Sequence, residues 1–535
     1  MIDWARALRS RRWSDMRRAR AMEVRIILPD ICRERAMHPL SASLPLSLHG
    51  AAQVRALDAA LIAAGTPGYE LMQRAAHAAW RVLRRRWPDA GEITVLAGRG
   101  NNAGDGYLIA ALAQRAGWRV RVLAVGEPAA LSGDAAQACA EARSAGVDVR
   151  PWSECAPLAG VLVDALLGTG LAGAVREPYA QAIRMINQSG LPVLAVDIPS
   201  GLQADHGARL GLAVQADVTV TFIALKLGLF TGLGPELCGE LQFDDLQGDP
   251  RLLAQAPALA QRLDLANLPR LAPRSPLAHK GQFGHLLVVG GDLGMGGAAL
   301  LSAESALRAG AGLVSLATRP EHVQAALVRR PEVMCSALAS ANQLLGLAER
   351  ATVCVVGPGL GQNAWGRSLL SVAAGLPVPQ VWDADALNLL AAGQVGAPRQ
   401  GVLTPHPGEA ARLLGVASAE VQADRPAAAR ALAQRFGLVV VLKGAGSLIA
   451  APDGSLALCD RGHPAMAGAG LGDVLAGLIG ALLAQGMAAF DAACLAVWLH
   501  AHAGENLGRQ GRGLAAGDLP DTIRQLLEEF CPCLS

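Results

Sequence analysis

Short runs of Val, Leu, Ile and Ala recur along this chain, and most of them empty into a glycine-rich or acidic turn that leads on to a helical pattern. The runs at 93–97, 118–125, 161–164 and 193–197 do so in the first half, and those at 286–289, 355–361, 381–385, 403–409 and 439–447 in the second. Apolar strands separated by helices need crossover connections, which makes the sheets mainly parallel and covered on both faces. Ligands collect at the carboxyl ends of such strands, so the turns are where function is sought. The chain has 535 residues, 52% of them apolar, which is too much for one ordinary core and enough for at least two.

A net charge of +2 gives no electrostatic case for nucleic acid or for an acidic membrane surface, so the expected partners are small molecules. The ten cysteines are scattered singly apart from Cys531 and Cys533, show no metal-ligand spacing, and read as reduced thiols of a cytoplasmic protein. The terminal Cys-Pro-Cys reads as a frayed tail. Residues 1–47, with Arg11, Arg12, Arg17, Arg18 and Arg20 close together, read as a basic, disordered extension or as the product of a start codon upstream of a true start near Met37. The uncharged stretch 474–490 is broken by glycines and a glutamine and is just short of bilayer length; it reads as one buried core helix rather than a membrane span.

Residues 462–477 read GHPAMAGAGLGDVLAG, in which Gly468, Ala469, Gly470 and Gly472 lead into Asp473 and then into an apolar helical segment. Glycines let backbone N–H groups turn inward, and a helix start adds partial positive charge, so the stretch suits a phosphate or a developing phosphoryl charge. Asp473 stands where it could take a proton from an attacking hydroxyl. The plainer reading is a glycine turn capped by an aspartate. In the first half, the run at 93–97 opens into GRGNNAGDG and a helical pattern follows at once. A plain phosphate loop has no need of Asn101, Asn102 and Asp105; two amides and a carboxylate suit a hard cation, or the amide and hydroxyls of a ligand. The next two strands end in Asp164 and Asp197. Each of these residues alone reads as a helix cap, but three successive strand ends carrying Asn102, Asp164 and Asp197 point to one shared site on one sheet edge.

The motifs GRGNNAGDG, VDALLGTGLAGAVREPY and VDIPSG resemble the epimerase domain of the NAD(P)H-hydrate repair enzymes, over residues 48–249. The resemblance implies a Rossmann-like three-layer αβα domain in which Asn101, Asn102, Ala103, Gly104 and Asp105 bind the hydrated nicotinamide nucleotide. It adds Gly168, Thr169, Gly170, Leu171, Ala172, Gly173, Ala174, Tyr179 and Asp197 as further contacts, and a potassium ion held by Asn102, Asp164 and Ser200. Asp197 is then the candidate for proton transfer during epimerisation. Arg99 stands where lysine is commoner in that family, and Ala103 where glycine is commoner; the methyl at 103 matters only if that residue needs positive φ.

After a Leu-, Ala-, Pro- and Arg-rich stretch at 250–275, expected to be a linker, the segments HKGQFGHLLVVGG, ESALRAGAGLVSLAT, GPGLG, WDADALN, TPHPGEAARLLG, LKGAGS and GLGDVLAGLIGALLAQG resemble the ADP-dependent NAD(P)H-hydrate dehydratase domain, placed at 276–535. The resemblance implies a ribokinase-like α/β fold, with contacts to the hydrated dinucleotide at Ala298, Gly361, His406 and Asp473. It places the nucleotide diphosphate at Lys443, Gly444, Ala445, Gly446, Ser447 and Gly472. Leu471 stands where threonine or methionine is commoner. In isolation His406, beside two prolines, reads as a capping histidine, and Lys443 as a solvated strand-end lysine.

The implied protein is a bifunctional repair enzyme. It interconverts the R and S forms of hydrated NADH or NADPH and dehydrates the S form at the expense of ADP, with AMP and phosphate as products and with magnesium and potassium as cofactors. Apolar α/β domains of this kind leave room for a homo-oligomer. A vitamin or sugar kinase of the same fold would leave a stable phosphate ester instead, and the first half could be a non-catalytic binding module.

Overall fold

The computed structural model describes residues 44–534, so the expected basic extension lies, up to residue 43, outside the described residues. The strands of the first half are β1 (Ser47–His49), β2 (Glu92–Ala97), β3 (Arg119–Ala124), β4 (Asp148–Pro151), β5 (Val161–Ala165), β6 (Val193–Val196), β7 (Val218–Phe222), β8 (Leu225–Lys226), β9 (Glu240–Asp244) and β10 (Ala260–Arg262). Seven of them form an all-parallel sheet in the order β4-β3-β2-β5-β6-β7-β9. Every residue of β5, β6 and β7 is buried, as continuous Val, Leu and Ala runs require of central strands in a sheet covered on both sides. Helices Ala51–Ala63, Gly68–Arg86, Asn101–Arg115 and Gly133–Ser144 pack on one face, and Tyr179–Gln188 on the other.

The second half supplies β11 (His285–Val289), β12 (Leu313–Thr318), β13 (Met334–Ala337), β14 (Val353–Val356), β15 (Gln380–Trp382), β16 (Gly401–Leu403), β17 (Val439–Leu442), β18 (Ser447–Ala450) and β19 (Leu456–Cys459). Together with three strands of the first half they form a twelve-stranded sheet, in the order β13-β12-β11-β14-β15-β16-β17-β18-β19-β10-β1-β8. Pairing is parallel from β13 to β17 and antiparallel through β18 and β19; β10 then adds parallel to β19. The α/β class expected of both halves is observed. The sheet runs across the expected boundary, and the stretch 250–275 carries a short helix, Pro250–Gln255, as well as β10. Leu48, Leu225, Leu227 and Phe230 consequently share one apolar core with Leu403, Val440 and Leu458.

Two expectations need correction. The uncharged stretch 474–490 is not one helix: helix Leu471–Ala484 stops before Gly486, whose φ of +91° lets the chain turn, and helix Ala489–Gly508 begins beyond it. Among the described residues no helix is long and apolar enough to cross a membrane. The terminal Cys-Pro-Cys does not fray. Cys531 is buried, its Sγ accepts from Leu271 N at 3.3 Å, and the Cys533 carbonyl accepts from Arg274 N at 2.7 Å.

Candidate active site

Two groups of functional side chains form, one on each sheet. On the first, β2 ends at Gly98, where a Cβ would lie 1.9 Å from the Leu166 carbonyl oxygen; only glycine lets the loop cross β5 so closely. Asn101 and Asn102 then open helix Asn101–Arg115. Ala103 sits inside that helix without positive φ, so its methyl is accommodated. The strand ends surround a cavity of about 560 Å³, lined among others by Asn101, Asn102, Asp105, Gly168, Thr169, Gly170, Leu171, Ala172, Tyr179 and Asp197. Ala103 and Gly104 are buried in the helix behind it, whereas Gly173 and Ala174 are exposed and outside its lining.

Beneath the cavity Asp164 is fully buried, and it accepts from Ser200 N at 2.8 Å, from Ser200 Oγ at 2.6 Å and from Leu166 N at 3.2 Å. Burial pushes its carboxyl up to about 6 against the pull of these bonds. Close by, both the oxygen and the nitrogen of the Asn102 amide are buried without a hydrogen-bond partner. The orphan amide oxygen of Asn102, with the Asp164 carboxylate and the Ser200 hydroxyl near the ends of the neighbouring strands, makes an all-oxygen donor set that a hard cation fits.

Asp197 follows β6 with φ +66°, an uncommon conformation for a residue with a side chain. It is held by its N–H, which donates to Val220 O at 2.7 Å, and by a carboxylate ion-paired with Lys226. Lys226 is itself fully buried and donates also to Thr221 Oγ1 at 2.9 Å and Phe222 O at 3.0 Å. Burial and the adjacent Asp197 carboxylate push the Asp105 carboxyl well above the usual range, with Asp58 adding to the effect and Lys226 opposing it. One ammonium thus pairs with Asp197, while Asp105 and Asp58 beside it are both raised, so a carboxyl here takes up a proton more readily than an isolated aspartate does.

On the second sheet, Gly470 (φ +87°) turns the chain into helix Leu471–Ala484, with Asp473 in its first turn. His500, buried and lowered to about 4 by that burial, is neutral and donates from Nε2 to the Leu471 carbonyl at 3.0 Å, fixing the start of the helix from below. A Cβ at Gly472 would lie 3.2 Å from Lys443 Nζ and 3.3 Å from Asp383 Oδ2, so the helix start rests against that ion pair. Lys443 Nζ donates to Asp383 Oδ1 at 2.6 Å and lies 4.0 Å from Glu409 Oε2. Burial pushes Asp473 up to about 7, the Asp383 carboxylate adding and Lys443 opposing. Glu409 is likewise raised to about 7 by burial.

His406 caps helix Pro407–Leu414: its Nδ1 accepts from Gly408 N at 3.0 Å and from Glu409 N at 3.4 Å, while Glu409 Oε2 accepts from His406 N at 2.8 Å. Nδ1 is therefore occupied, and the ring hydrogen sits on Nε2, 3.4 Å from Glu409 Oε1. Gly361 and Ala298 lie elsewhere in this half, in the turn after β14 and in helix Gly296–Arg308. Gly361 N donates to Asp385 Oδ2 at 2.9 Å, and Gly359, two residues before it, packs against Ala298 Cβ.

The family model for the YjeF-related protein N-terminus matches residues 68–228, and that for NAD(P)H-hydrate dehydratase matches residues 286–525. A bifunctional NAD(P)H-hydrate repair enzyme of Coxiella burnetii is 45% identical over 89% of this chain and 98% of its own length. The chain belongs to the bifunctional NAD(P)H-hydrate repair enzymes. The repair enzyme of Escherichia coli is also 45% identical, over 86% of this chain and 89% of its own. An ADP/ATP-dependent NAD(P)H-hydrate dehydratase of Bacillus subtilis, co-crystallised with ATP and magnesium, is 29% identical and covers 49% of this chain and 95% of its own, with a TM-score of 0.44. Membership of the repair enzymes accords with the α/β class and mainly parallel sheets observed in both halves.

In this repair enzyme the sequence reading missed Lys226, Asp58, Asp383 and Glu409. Lys226 ends the two-residue strand β8, and its ammonium is turned into the interior, where no local pattern marks it. Asp383 and Glu409 lie within WDADALN and TPHPGE, where a carboxylate at a strand end was the available signal.

Proposed function

We propose that the chain interconverts the two epimers of hydrated NADH or NADPH in the cavity of the first sheet and dehydrates the S epimer at the edge of the second, with ADP as phosphoryl donor. The observation that carries this reading is the pairing of two proton-handling centres in one chain: Asp197 salt-bridged to Lys226 beside a proton-holding Asp105, and Asp473 at about 7 in the first turn of a helix. Epimerisation requires the ring carbon to lose and regain oxygen. Asp105, kept protonated, donates to the departing oxygen, and Asp197 takes the proton from the returning one. Asn101 and Tyr179 line the cavity, and Gly168, Thr169 and Gly170 offer backbone to the nucleotide. Potassium would be held by Asn102, Asp164 and Ser200, where it would neutralise the buried carboxylate and order the loops.

In the second centre, hydroxide is a poor leaving group. Asp473 accepts the ring hydroxyl proton as that oxygen attacks the terminal phosphorus of ADP, and AMP departs. The carbon–oxygen bond then breaks, phosphate leaves with the electron pair, and loss of a proton from the neighbouring ring carbon restores the reduced nicotinamide. The phosphates would be received by the N–H groups around Gly472 and by the loop Lys443, Gly444, Ala445, Gly446 and Ser447, in which the Lys443 N–H is given to Pro405 O at 2.9 Å and the Gly444 N–H to Ser447 Oγ at 3.2 Å. Among the described residues no three acidic, histidine or cysteine side chains converge as a cation site. Magnesium would enter with the nucleotide and neutralise charge on its phosphates. A cytoplasmic location fits substrates of this kind.

The test is to supply a mixture of both epimers with ADP, magnesium and potassium and to follow recovery of nicotinamide absorbance. Recovery of the whole pool is expected. A halt once one epimer is consumed removes the epimerase assignment, and accumulation of a stable phosphate ester replaces dehydration with kinase chemistry.

A further inference from the structure

Arg425 begins helix Arg425–Phe436, yet its side chain turns inward and the residue is only 2% exposed. A guanidinium this buried ordinarily lies against a carboxylate, because an unpaired charge is costly to withdraw from water. Among the described residues no carboxylate pairs with Arg425; all its partners are neutral oxygens. Nε donates to Thr231 Oγ1 at 3.2 Å and one terminal nitrogen to Gln422 Oε1 at 3.1 Å. The other donates to the backbone carbonyls of Leu442 at 3.3 Å, Lys443 at 3.3 Å and Gly446 at 3.4 Å. Burial lowers the guanidinium to about 10, which leaves it charged at neutral pH.

Those three carbonyls belong to the LKGAGS loop after β17. In a trans peptide the C=O and the following N–H point in opposite directions, so drawing the Lys443 and Gly446 carbonyls toward the arginine directs the amides of Gly444 and Ser447 away from it, where the Gly444 N–H donates to Ser447 Oγ at 3.2 Å and holds the loop's turn. On that side Gly444 and Ala445 are exposed. The loop is also pressed close to its floor. A Cβ at Gly444 (φ +142°) would lie 3.0 Å from both terminal nitrogens of Arg425, and one at Gly446 (φ +64°) would lie 2.0 Å from the Phe230 carbonyl oxygen. Phe230 and Thr231 come from the first half of the chain.

We infer that Arg425 is a positioning residue of the nucleotide site, a buried cation whose missing counter-charge is the diphosphate itself, and that Thr231 ties it to the first half so that ADP binding depends on both halves. The inference rests on reading the LKGAGS loop as the diphosphate site. With the loop between them, arginine and phosphates need not touch: the charge acts through a medium with little water, and the carbonyl bonds set the amides in place before the nucleotide arrives. Lysine could not substitute, because a point charge on a flexible stem cannot collect three carbonyls and a hydroxyl at once.

The experiment uses the full chain. Hydrogen exchange of the loop with and without ADP tests the site, while KM for ADP, KM for the hydrate, kcat and the epimerisation rate are measured for Thr231→Val and Arg425→Lys. ADP is expected to slow exchange at residues 444–447. KM for ADP is expected to rise about threefold in Thr231→Val and about tenfold or more in Arg425→Lys, while KM for the hydrate and epimerisation stay at parental values. Protection of the loop by ADP with parental KM values in both variants overturns the role of Arg425 and leaves the nucleotide site standing. No protection overturns both. A fall of every parameter together marks general loss of structure and also counts against the positioning role.

Discussion

At the scale of single residues, the first centre turns on the pair Asp197 and Lys226. Replacing Asp197 by Ala removes the proton acceptor and leaves Lys226 buried and without its counter-ion. Epimerisation should fall by at least about a hundredfold, with dehydration of the pure S epimer retained; undiminished epimerisation would refute the assignment. The second centre should announce itself through pH. Asp473 must be ionised to accept the hydroxyl proton, and its folded value lies at about 7. The dehydration rate should therefore fall about tenfold for each pH unit below that value and level off above it. The limb belongs to Asp473 and Glu409 together, because both raised carboxyl groups are coupled through Lys443 and to each other. A pH-independent kcat between 5 and 8 would exclude Asp473 as the base. Asn102, Asp164, Asp197 and Asp473 were legible in the sequence because each stands at a strand end or helix start next to glycines. Lys226 was not: its meaning comes from Asp197, 29 positions earlier, and no local pattern records that meeting. His406 was expected both as a cap and as a ligand contact, and the cap is what the hydrogen bonds show. The structure places its Nδ1 on the two backbone N–H groups at the start of its helix.

At the scale of elements, the helix that carries Asp473 is positioned by absence of side chains. A Cβ at Gly477 would lie 2.0 Å from the Ser302 carbonyl oxygen of helix Gly296–Arg308, and one at Gly480 would lie 2.6 Å from Val355 Cγ2 on β14. Gly477→Ala must push the two helices apart. It should destabilise the protein by about 1–3 kcal/mol in urea denaturation and lower dehydration more than epimerisation, since Asp473 sits one turn away on the displaced helix. Equal loss of both activities would show that the displacement is not local. The periodicity of 474–490 concealed the break at Gly486, because an apolar helix and an apolar turn between two buried helices have the same composition. The parallel pairing at the centre of the first sheet was easier to foresee, since β2, β3 and β5 are followed by the helices Asn101–Arg115, Gly133–Ser144 and Tyr179–Gln188.

At the scale of the whole molecule, the sequence shows two sets of motifs with a proline-rich stretch between them, whereas the larger sheet borrows β1, β8 and β10 from the first half. These strands are two or three residues long and carry no pattern strong enough to assign them to either sheet. A fragment comprising residues 276–535 alone should expose the edge of β19 and the apolar surface under Leu48 and Leu225. It should melt at a lower temperature than the full chain and scatter light on warming. If the fragment were as stable and as monodisperse as the full chain, the borrowed strands would contribute nothing to the second sheet.

The borrowed strands also set an order of events during synthesis. Strands β8, β1 and β10 pair with one another and leave the ribosome early, so this small ledge can form while the second half is still being translated. Its partner β19 is the last of the described strands to be made, and until it arrives β10 presents an open edge to the rest of the cell. For this protein, a slow or interrupted passage through the second half is therefore a hazard to the first half as well.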